Sequence, residues 1–369
     1  MTMLFELFSG KKVLVTGHTG FKGSWLSVWL ARLGASVTGY SDGIPTHPAH
    51  FEAARLDKLV NHVTGDVRDG ARIRELVHGL APDFVFHLAA QPLVRLSYED
   101  PVRTLDTNFM GTVNVLEALR GLKSPCTVVM ITSDKCYDNV EQVWGYREND
   151  ALGGKDPYSA SKGAAELAIR TYASSFFSHP GSVVRLAVAR AGNVIGGGDW
   201  AADRIVPDCV RAWSQGRPVI IRNPRATRPW QHVLEPLSGY LTLAARLHSD
   251  LQLNGEPFNF GPPAAQNHSV GDLLDAMQGS WPAAAREHVS EAGQVYEAGL
   301  LKLCCDKALQ RLGWQPVLDF EETVAITADW YYSYYQEGSE PSILALTEGQ
   351  IAHYEALAAE RGAVWQGAA

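Results

Sequence analysis

The stretch VLVTGHTGFKGSW, residues 13–25, is the feature that most restricts how this chain can fold. A short apolar run predicts a β-strand, Gly17, Gly20 and Gly23 predict a tight turn, and an amphipathic segment through Leu33 predicts a helix. Because glycines lack Cβ atoms, the backbone can approach a phosphate closely, and the helix directs free N–H groups and its positive dipole end at that phosphate. The segment therefore predicts a site for a dinucleotide pyrophosphate, with a tight turn that binds no ligand as the alternative.

Apolar runs alternate with segments of helical period through the first half of the chain. The runs cover residues 13–16, 36–40, 83–88 and 126–132. This alternation is typical of βαβ units, whose crossovers make parallel strands with helices on both faces. We therefore predict an α/β fold with a Rossmann-like, doubly wound parallel sheet and a smaller C-terminal domain, with ligands bound beyond the carboxyl ends of the strands.

Length and composition indicate two lobes. The chain has 369 residues, of which 46% are hydrophobic, enough for a core larger than that of one small domain. We predict a dinucleotide-binding domain over residues 1–185, with a segment at about 220–245 that returns to it. Residues 186–369, which are punctuated by glycine and proline, would form most of a substrate-binding domain.

Charge and cysteine content restrict the partners and the compartment. With 32 Lys and Arg against 40 Asp and Glu, the formal charge of -8 argues against general binding to nucleic acid. No apolar run reaches membrane-spanning length, and the first residues lack the order of a signal peptide, so we expect a cytoplasmic protein that does not bind membranes. The five cysteines show no metal-ligand spacing, which predicts reduced thiols and no metal site.

Two carboxylates follow predicted strands at the point where an adenosine group would lie. Asp42 is placed to accept hydrogen bonds from both ribose hydroxyls, and no Arg or Lys follows it until Arg55, so NAD is preferred over NADP. In TGDVRD, Asp66 and the backbone amide of Val67 are placed to bond an adenine edge. Surface solvation of Asp42 and a turn-forming role for Asp66 are the alternatives.

Tyr158 and Lys162 stand one helical turn apart in DPYSASK, so their side chains share one face of a predicted helix. A tyrosine with a pKa of about 10 is a poor base at neutral pH. An adjacent ammonium and a cationic nicotinamide would both favour the phenolate, which could then remove a hydroxyl proton. Together with Ser133 at the end of an upstream strand, the pair predicts a site that oxidises a hydroxyl group, although an ordinary helix can also carry Tyr and Lys at this spacing.

Four motifs, TGxxGxxG, HLAAQ, TNFMGT and YxxxK, resemble those of the extended short-chain dehydrogenase/reductase family, and the resemblance covers nearly the whole chain. Longer strings, such as TGHTGFKGSW, TSDKCY and ARAGNVIGGGDWAADRIVPD, are similar to those of family members that dehydrate CDP-glucose. The resemblance implies NAD as cofactor, CDP-glucose as substrate and a place in deoxysugar biosynthesis for lipopolysaccharide O-antigen. It also implies a homodimer, or a tetramer, assembled through helices near 101–119 and 158–176.

The resemblance further implies which residues bind the cofactor. These are Gly17, Thr19, Gly20, Phe21, Gly23, Asp42, Asp66, Val67, Leu88, Ala89, Ala90, Tyr158 and Lys162.

It also implies a three-stage reaction, in which the C4 hydride goes to NAD, water is eliminated across C5 and C6, and the hydride returns to C6. Elimination needs an acid for the C6 hydroxyl and a base for the C5 proton. Related dTDP-glucose dehydratases have an Asp-Glu pair here, whereas this chain has Asp134 and Lys135. Asp134 is therefore assigned as the acid and Lys135 as the candidate base, since burial and nearby positive charge favour loss of its proton. The alternative is that Lys135 only anchors Asp134 or the substrate as a cation.

Candidate residues for the sugar nucleotide come mostly from the second half of the chain. Arg204 and Arg228 offer cations to its pyrophosphate. Gln91, Asn193 and Glu297 resemble family positions that contact the substrate. A turn-forming role is the alternative for Asn193, and YEA stands at Glu297 where the family pattern has HEA.

Other interpretations remain open from sequence. A dehydratase of dTDP- or GDP-sugars would use the same fold. A nucleotide-sugar 4-epimerase would share NAD, Ser133, Tyr158 and Lys162 but needs no acid and base at C5, so Asp134 and Lys135 separate the two activities. A non-catalytic NAD-binding protein would keep the glycines without needing Tyr158 and Lys162.

Overall fold

A parallel sheet forms the centre of the molecule. The computed structural model describes residues 4–221, 223–263, 265–281, 284–288, 300–336 and 342–365. The strands are β1 Lys12–Thr16, β2 Ser36–Ser41, β3 Asn61–Thr64, β4 Phe84–His87, β5 Cys126–Ile131, β6 Val184–Ala191, β7 Val194–Ile195, β8 Val219–Ile221, β9 Thr227–Arg228, β10 Gln231–His232, β11 Pro257–Phe260, β12 His268–Ser269 and β13 Arg286–His288. Seven of them make the main sheet, in the order β11-β6-β5-β4-β1-β2-β3, and all its pairs are parallel.

The main sheet confirms the predicted α/β fold. The four predicted strands agree with β1, β2, β4 and β5 to within one residue at each end. Every residue of β4 and β5 is buried, as expected for central parallel strands covered on both faces. Their carboxyl ends therefore meet at one edge of the sheet, where a ligand crevice is expected.

Helices cover both faces of the sheet. They are α1 Phe21–Arg32, α2 His50–Ala53, α3 Gly70–Leu80, α4 Val94–Glu99, α5 Pro101–Leu105, α6 Gly111–Arg120, α7 Pro157–Tyr172, α8 Ile205–Trp213, α9 Leu234–Ser249, α10 Val270–Gln278, α11 Asp306–Leu312, α12 Phe320–Tyr335 and α13 Ile343–Glu360. Alternate residues of a strand face opposite layers. Val13 and Val15 lie in the core with α1, α9 and α13, whereas Leu14 lies in the core with α3, α6 and α7.

Two π-helical turns lengthen the helices of the second layer. One, Asp106–Met110, joins α5 to α6, so that the helical stretch runs from Pro101 to Arg120. The other, Ala173–Phe177, extends α7. The helices predicted near 101–119 and 158–176 lie within these two stretches.

The chain after β6 builds small sheets, in which β7 pairs with β10, β8 with β13 and β9 with β12. β11 then returns to the main sheet beside β6. The proposed division of the chain at residue 185 stays a prediction. Within the described ranges, no helix combines the length and the apolar character needed to cross a membrane.

Candidate functional site

An open cleft of about 1120 Å³ lies at the carboxyl edge of the sheet. We call its two sides the Rossmann wall and the second-lobe wall. The Rossmann wall is made of residues at 17–23, 41–46, 65–67, 88–96, 131–135 and 154–162. The second-lobe wall is made of residues at 191–208 and 220–230. A ligand in this cleft would contact both halves of the chain.

The glycine turn packs tightly against its surroundings at two of its three glycines. Gly17 has a φ of +76°, and a Cβ atom there would lie 2.7 Å from the backbone nitrogen of Ala89. A Cβ at Gly23 would lie 2.1 Å from the carbonyl oxygen of Gly17, so the fold itself requires glycine at both positions. Gly20 has a φ of -76°, and a Cβ there would meet nothing closer than 3.4 Å. Gly20 is therefore open to the cleft.

The N-terminus of α1 offers an anion site beside Gly20, since no side chain caps its first turn. Free N–H groups and an open glycine at a helix N-terminus fit the pyrophosphate of a dinucleotide. The surrounding cleft surface includes the predicted cofactor residues Thr19, Phe21, Leu88, Ala89 and Ala90. The assignment of these residues to NAD stays a prediction.

Asp42 and Asp66 are the two carboxylates predicted to contact adenosine. Asp42 is exposed and lines the cleft, whereas the carboxylate of Asp66 is already hydrogen-bonded to Arg68. Asp66 Oδ2 accepts hydrogen bonds from Nε and Nη2 of Arg68 at 2.8 and 2.5 Å, and Oδ1 accepts one from the Arg68 backbone N–H. The Arg68 guanidinium lowers the pKa of Asp66. Asp66 thus has the turn-forming role that was the alternative to adenine binding. Contact of Asp66 or of the buried Val67 with adenine stays a prediction. Sequence reasoning missed Arg68, although its two-residue spacing from Asp66 suits such a turn.

His18, a second residue that sequence reasoning missed, lies inside the glycine turn. Its Nδ1 is 2.9 Å from Ser41 Oγ, and its Nε2 is 2.7 Å from Nδ1 of His62. Burial, reinforced by His62, lowers the pKa of His18 to about 4, so the ring is neutral at physiological pH. The ring links the glycine turn to the end of β2 through Ser41 and to β3 through His62.

A 3₁₀ turn, Asp134–Cys136, begins after Thr132 and Ser133 at the end of β5 and contains the predicted acid and base. Ser133 caps this turn: its Oγ accepts a hydrogen bond from the Lys135 N–H at 3.2 Å and donates one to Asp134 Oδ1 at 2.9 Å. Ser133 and Asp134 are buried, Lys135 is half-buried, and all three line the cleft. The turn therefore places a hydroxyl, a carboxyl and an ammonium group side by side at the end of a central strand.

Burial raises the pKa of Asp134, and the ammonium of Lys135, the Ser133 hydroxyl and the ammonium of Lys22 oppose that rise. A carboxyl group with a raised pKa keeps its proton closer to neutral pH, which suits a general acid. Lys22 was not singled out from sequence. It lies in the first turn of α1, and only the folded chain brings it to Asp134.

Tyr158 and Lys162 lie in α7, where Asp156 Oδ1 caps the helix by accepting the Ser159 N–H at 2.9 Å. Both side chains are buried in the cleft wall. Burial raises the pKa of Tyr158 to about 12, opposed by hydrogen bonding with Ser133, and burial lowers the pKa of Lys162 to about 8. The predicted shift of Tyr158 toward the phenolate depends on a bound nicotinamide and stays a prediction, and burial of the phenol opposes that shift.

A buried ion pair supports this wall from behind. Glu166, one turn after Lys162, accepts hydrogen bonds from Nε and Nη2 of Arg190, both at 2.8 Å, and the two side chains are only 3% exposed. Thr132 Oγ1 donates to Glu166 Oε1 at 2.5 Å. These bonds fix α7 against the ends of β5 and β6. No local sequence motif predicts them.

The second-lobe wall carries three of the predicted substrate residues. Asn193 is exposed, Arg204 and Arg228 are half-buried, and all three line the cleft. Arg204 Nη1 donates a hydrogen bond to Asp199 Oδ2 at 2.6 Å. The contacts of these residues with a sugar nucleotide stay predictions.

The other two predicted substrate residues lie elsewhere. Gln91 lines the cleft from the Rossmann wall, but its amide is engaged within the protein: Oε1 accepts the Leu93 N–H at 2.5 Å, and Nε2 donates to Thr104 Oγ1 at 2.9 Å. Glu297 lies outside the described residues.

The described residues contain no candidate metal site. In the ranges that the structure describes, no three His, Cys, Asp or Glu side chains are grouped so that they could hold a metal ion. The predicted lack of a metal site stays a prediction.

Comparison with known proteins identifies the family of this chain. The family model described as GDP-mannose 4,6 dehydratase matches residues 14–327. CDP-glucose 4,6-dehydratase of Salmonella typhimurium is 49% identical over 329 residues, which are 88% of this chain and 92% of that protein.

Two solved structures show the same fold. UDP-glucose 4-epimerase of Thermus thermophilus in complex with NAD is 25% identical with a TM-score of 0.74, over 87% of this chain and 99% of the other. UDP-glucose 4-epimerase of Thermotoga maritima with UDP-glucose is 22% identical with a TM-score of 0.76, over 88% of this chain and 100% of the other. The family match spans most of the chain, and the resemblance predicted from the sequence motifs is confirmed. The chain therefore belongs to the NAD-dependent epimerase and dehydratase family of the extended short-chain dehydrogenases/reductases.

Proposed function

We propose that the chain is an NAD-dependent CDP-glucose 4,6-dehydratase that forms CDP-4-dehydro-6-deoxy-D-glucose. The observation that carries the proposal is the juxtaposition, on one wall of the cleft, of Ser133, Asp134 and Lys135 with Tyr158 and Lys162. An oxidation site and an acid–base pair for elimination stand together there. The 49% identity with the Salmonella typhimurium enzyme supports CDP-glucose as the substrate.

For the oxidation, the Tyr158 phenol oxygen is assigned to remove the C4 hydroxyl proton. The Ser133 hydroxyl opposes the rise in the pKa of the phenol, and the Lys162 ammonium, one turn along α7, would stabilise the phenolate. NAD held at the glycine turn would accept the C4 hydride and later return it to C6. Its positive ring would also favour the phenolate that burial alone disfavours.

For the elimination, the C4 ketone acidifies the C5–H bond. Lys135 Nζ, as a neutral amine, takes the C5 proton, and the electron pair of that bond becomes the C5=C6 double bond. The C6–O bond breaks as Asp134 gives its proton to the departing oxygen, so that water leaves and Asp134 becomes a carboxylate. If Lys135 is instead only an anchor, a water molecule activated by Asp134 is the alternative base.

Substrate binding is assigned to both walls. Arg204 and Arg228 would neutralise the pyrophosphate of CDP-glucose, and Asn193 and Gln91 would contact the sugar or its phosphate.

We also propose a homodimer, with a tetramer as the alternative. Large apolar side chains are exposed on the stretch from Pro101 to Arg120 and on α7, namely Val102 (76%), Leu105 (41%), Met110 (41%) and Leu167 (46%). Pairing these two helical stretches with those of a second copy would remove them from water. We place the enzyme in the cytoplasm, in deoxysugar biosynthesis, without nucleic-acid or membrane partners. Light scattering should give twice the 40.2 kDa chain mass for a dimer, whereas a single chain mass contradicts it.

The proposal is tested by incubating the protein and NAD separately with CDP-glucose and dTDP-glucose. We expect a 4-keto-6-deoxy product from CDP-glucose and little from dTDP-glucose. A C4 epimer that retains its C6 hydroxyl would identify a 4-epimerase and overturn the proposal. Preference for dTDP-glucose would overturn the substrate assignment alone.

A further inference from the structure

Tyr137 directly follows the turn that contains the proposed acid and base. Its backbone N–H closes that turn by donating a hydrogen bond to the carbonyl oxygen of Asp134 at 3.4 Å. Its side chain is only 1% exposed, and its ring stacks on that of Tyr146 with 5.2 Å between the ring centroids. A buried aromatic side chain is thus attached directly to the reacting turn.

The phenol oxygen of Tyr137 joins this turn to two strands of the main sheet. It accepts a hydrogen bond from Arg190 Nη1 of β6 at 2.8 Å and donates one to Asn259 Oδ1 of β11 at 2.7 Å. The Arg190 guanidinium also lies over the Tyr137 ring, with its central carbon 4.9 Å from the ring centroid. Burial raises the pKa of Tyr137, so the phenol keeps the proton that it donates.

The two partners of the phenol are held by further hydrogen bonds. Arg190 makes its two bonds to Glu166. Asn259 Nδ2 donates to the backbone carbonyl oxygens of Tyr146 and Cys304 at 2.9 and 3.2 Å. A buried network whose members are hydrogen-bonded in this way favours a single arrangement of its side chains. The phenol therefore has a defined position relative to the sheet.

Different side chains anchor the two ends of the segment from Thr132 to Tyr137. At its start, Thr132 Oγ1 donates to Glu166 of α7 at 2.5 Å, and α7 also carries the oxidation residues Tyr158 and Lys162. At its end, the phenol of Tyr137 is bonded to β6 and β11. Loss of the Tyr137 hydroxyl would release the second anchor and leave the first intact.

We propose that Tyr137 is a positioning residue for the elimination, which holds the turn so that Asp134 and Lys135 reach the C6 hydroxyl and the C5 proton. The inference rests on the proposed dehydratase function. An acid and a base must lie within hydrogen-bond distance of the groups that they serve, and a displacement of about 1 Å can cost about 100-fold in rate. C4 oxidation uses α7 and Ser133, which is next to the Thr132 anchor, so it should depend less on Tyr137.

The test compares Tyr137→Phe with Tyr354→Phe. Tyr137→Phe deletes one oxygen atom and keeps the ring, and Arg190 keeps its buried ion pair, so the fold should persist. Tyr354 is the matched control, because its buried phenol also makes two hydrogen bonds, to Glu235 Oε2 and Ser238 Oγ at 2.7 and 3.0 Å, and it does not line the cleft.

Single turnovers of CDP-glucose are followed by NADH absorbance for C4 oxidation, and by rapid quench with mass spectrometry for loss of water. Hydrogen exchange is measured on peptides that cover residues 132–138 and α7. We expect Tyr137→Phe to slow water loss about tenfold, to leave C4 oxidation within about threefold, and to speed exchange in residues 132–138 but not in α7. Tyr354→Phe should change neither the two rates nor the exchange of these peptides.

Equal slowing of oxidation and water loss in Tyr137→Phe, or no change in either, overturns the inference. Loss of affinity for CDP in calorimetry, with the ratio of the two rates unchanged, also overturns it and makes Tyr137 a substrate contact. If the unaltered protein converts no CDP-glucose, the proposed function fails, whereas hydrogen exchange still tests the anchor. Unchanged exchange in residues 132–138 overturns the positioning role in either case. If Tyr137→Phe does not fold, Asn259→Ser, which removes the acceptor of the phenol, carries the same comparison.

Discussion

The two walls of the cleft hold their side chains in different ways. On the Rossmann wall, four of the five assigned reacting groups are at most 8% exposed, namely Ser133, Asp134, Tyr158 and Lys162, and the fifth, Lys135, is half-buried. The buried pair of Glu166 and Arg190 fixes their helix and strand. On the second-lobe wall, β7 and β9 are two residues long, Asn193 is exposed and the Arg204 side chain is 36% exposed.

This difference suits two different functions, catalysis on the Rossmann wall and ligand binding on the second-lobe wall. Groups that act in a transition state must be held in place before the reaction, which burial and a hydrogen-bonded support achieve. Groups that bind a charged, flexible ligand can adjust on binding. We therefore expect changes on the Rossmann wall to lower kcat, and changes on the second-lobe wall to act mainly on KM.

Gly20→Val should have the largest effect, because it fills the anion site while leaving the fold intact. A Cβ there meets no protein atom closer than 3.4 Å, so the branched side chain extends into the space assigned to phosphate. Calorimetry should detect no NAD binding, with an unchanged melting temperature. Gly349→Val, at an open helical position far along the chain, is the control and should bind NAD normally. Unchanged NAD affinity in Gly20→Val would refute the placement of the cofactor.

Tyr158→Phe removes only the phenol oxygen and should slow C4 oxidation about 1000-fold or more while both ligands still bind. The measurement is transfer of a C4 deuterium label to the cofactor in a single turnover. Transfer at the native rate would exclude Tyr158 as the oxidation base.

Lys135→Met should slow water loss about 100-fold yet leave C4 oxidation possible, so that a 4-keto sugar with its C6 hydroxyl accumulates. In heavy water, that intermediate should carry no deuterium at C5. Lys123→Met, an exposed lysine away from the cleft, is the control. Near-native elimination with deuterium at C5 would make Lys135 an anchor and leave a water molecule activated by Asp134 as the base.

Arg228→Ala should have the smallest effect, raising KM for CDP-glucose about tenfold with kcat nearly unchanged, as expected for loss of one charged contact to phosphate. Arg225→Ala, an exposed position of the same segment that does not line the cleft, is the control. A fall in kcat with unchanged KM would mean that the second-lobe wall also takes part in the chemistry, and the contrast between the walls would fail.

The residues of the Rossmann wall and its support differ in how far sequence predicts them. β1, the glycine turn and the position of Ser133 follow from local patterns, since apolar runs and glycine spacing are read over a few residues. Lys22, Arg190 and His18 reach their places in the site only when distant segments meet; Glu166 and Arg190, for example, are 24 residues apart. The same limit explains why the rise in the pKa of Tyr158 caused by burial does not follow from the sequence, because burial is a property of the folded chain.

The central claim is that one wall of one cleft carries both oxidation at C4 and elimination across C5 and C6. CDP-glucose deuterated at C4 tests it most directly, with the product analysed by NMR after turnover in ordinary water. If Tyr158, Asp134 and Lys135 act as assigned, the label leaves C4 and appears at C6 of a 4-keto-6-deoxy product. Recovery of the label at C4 of an epimerised sugar that keeps its C6 hydroxyl would contradict the claim.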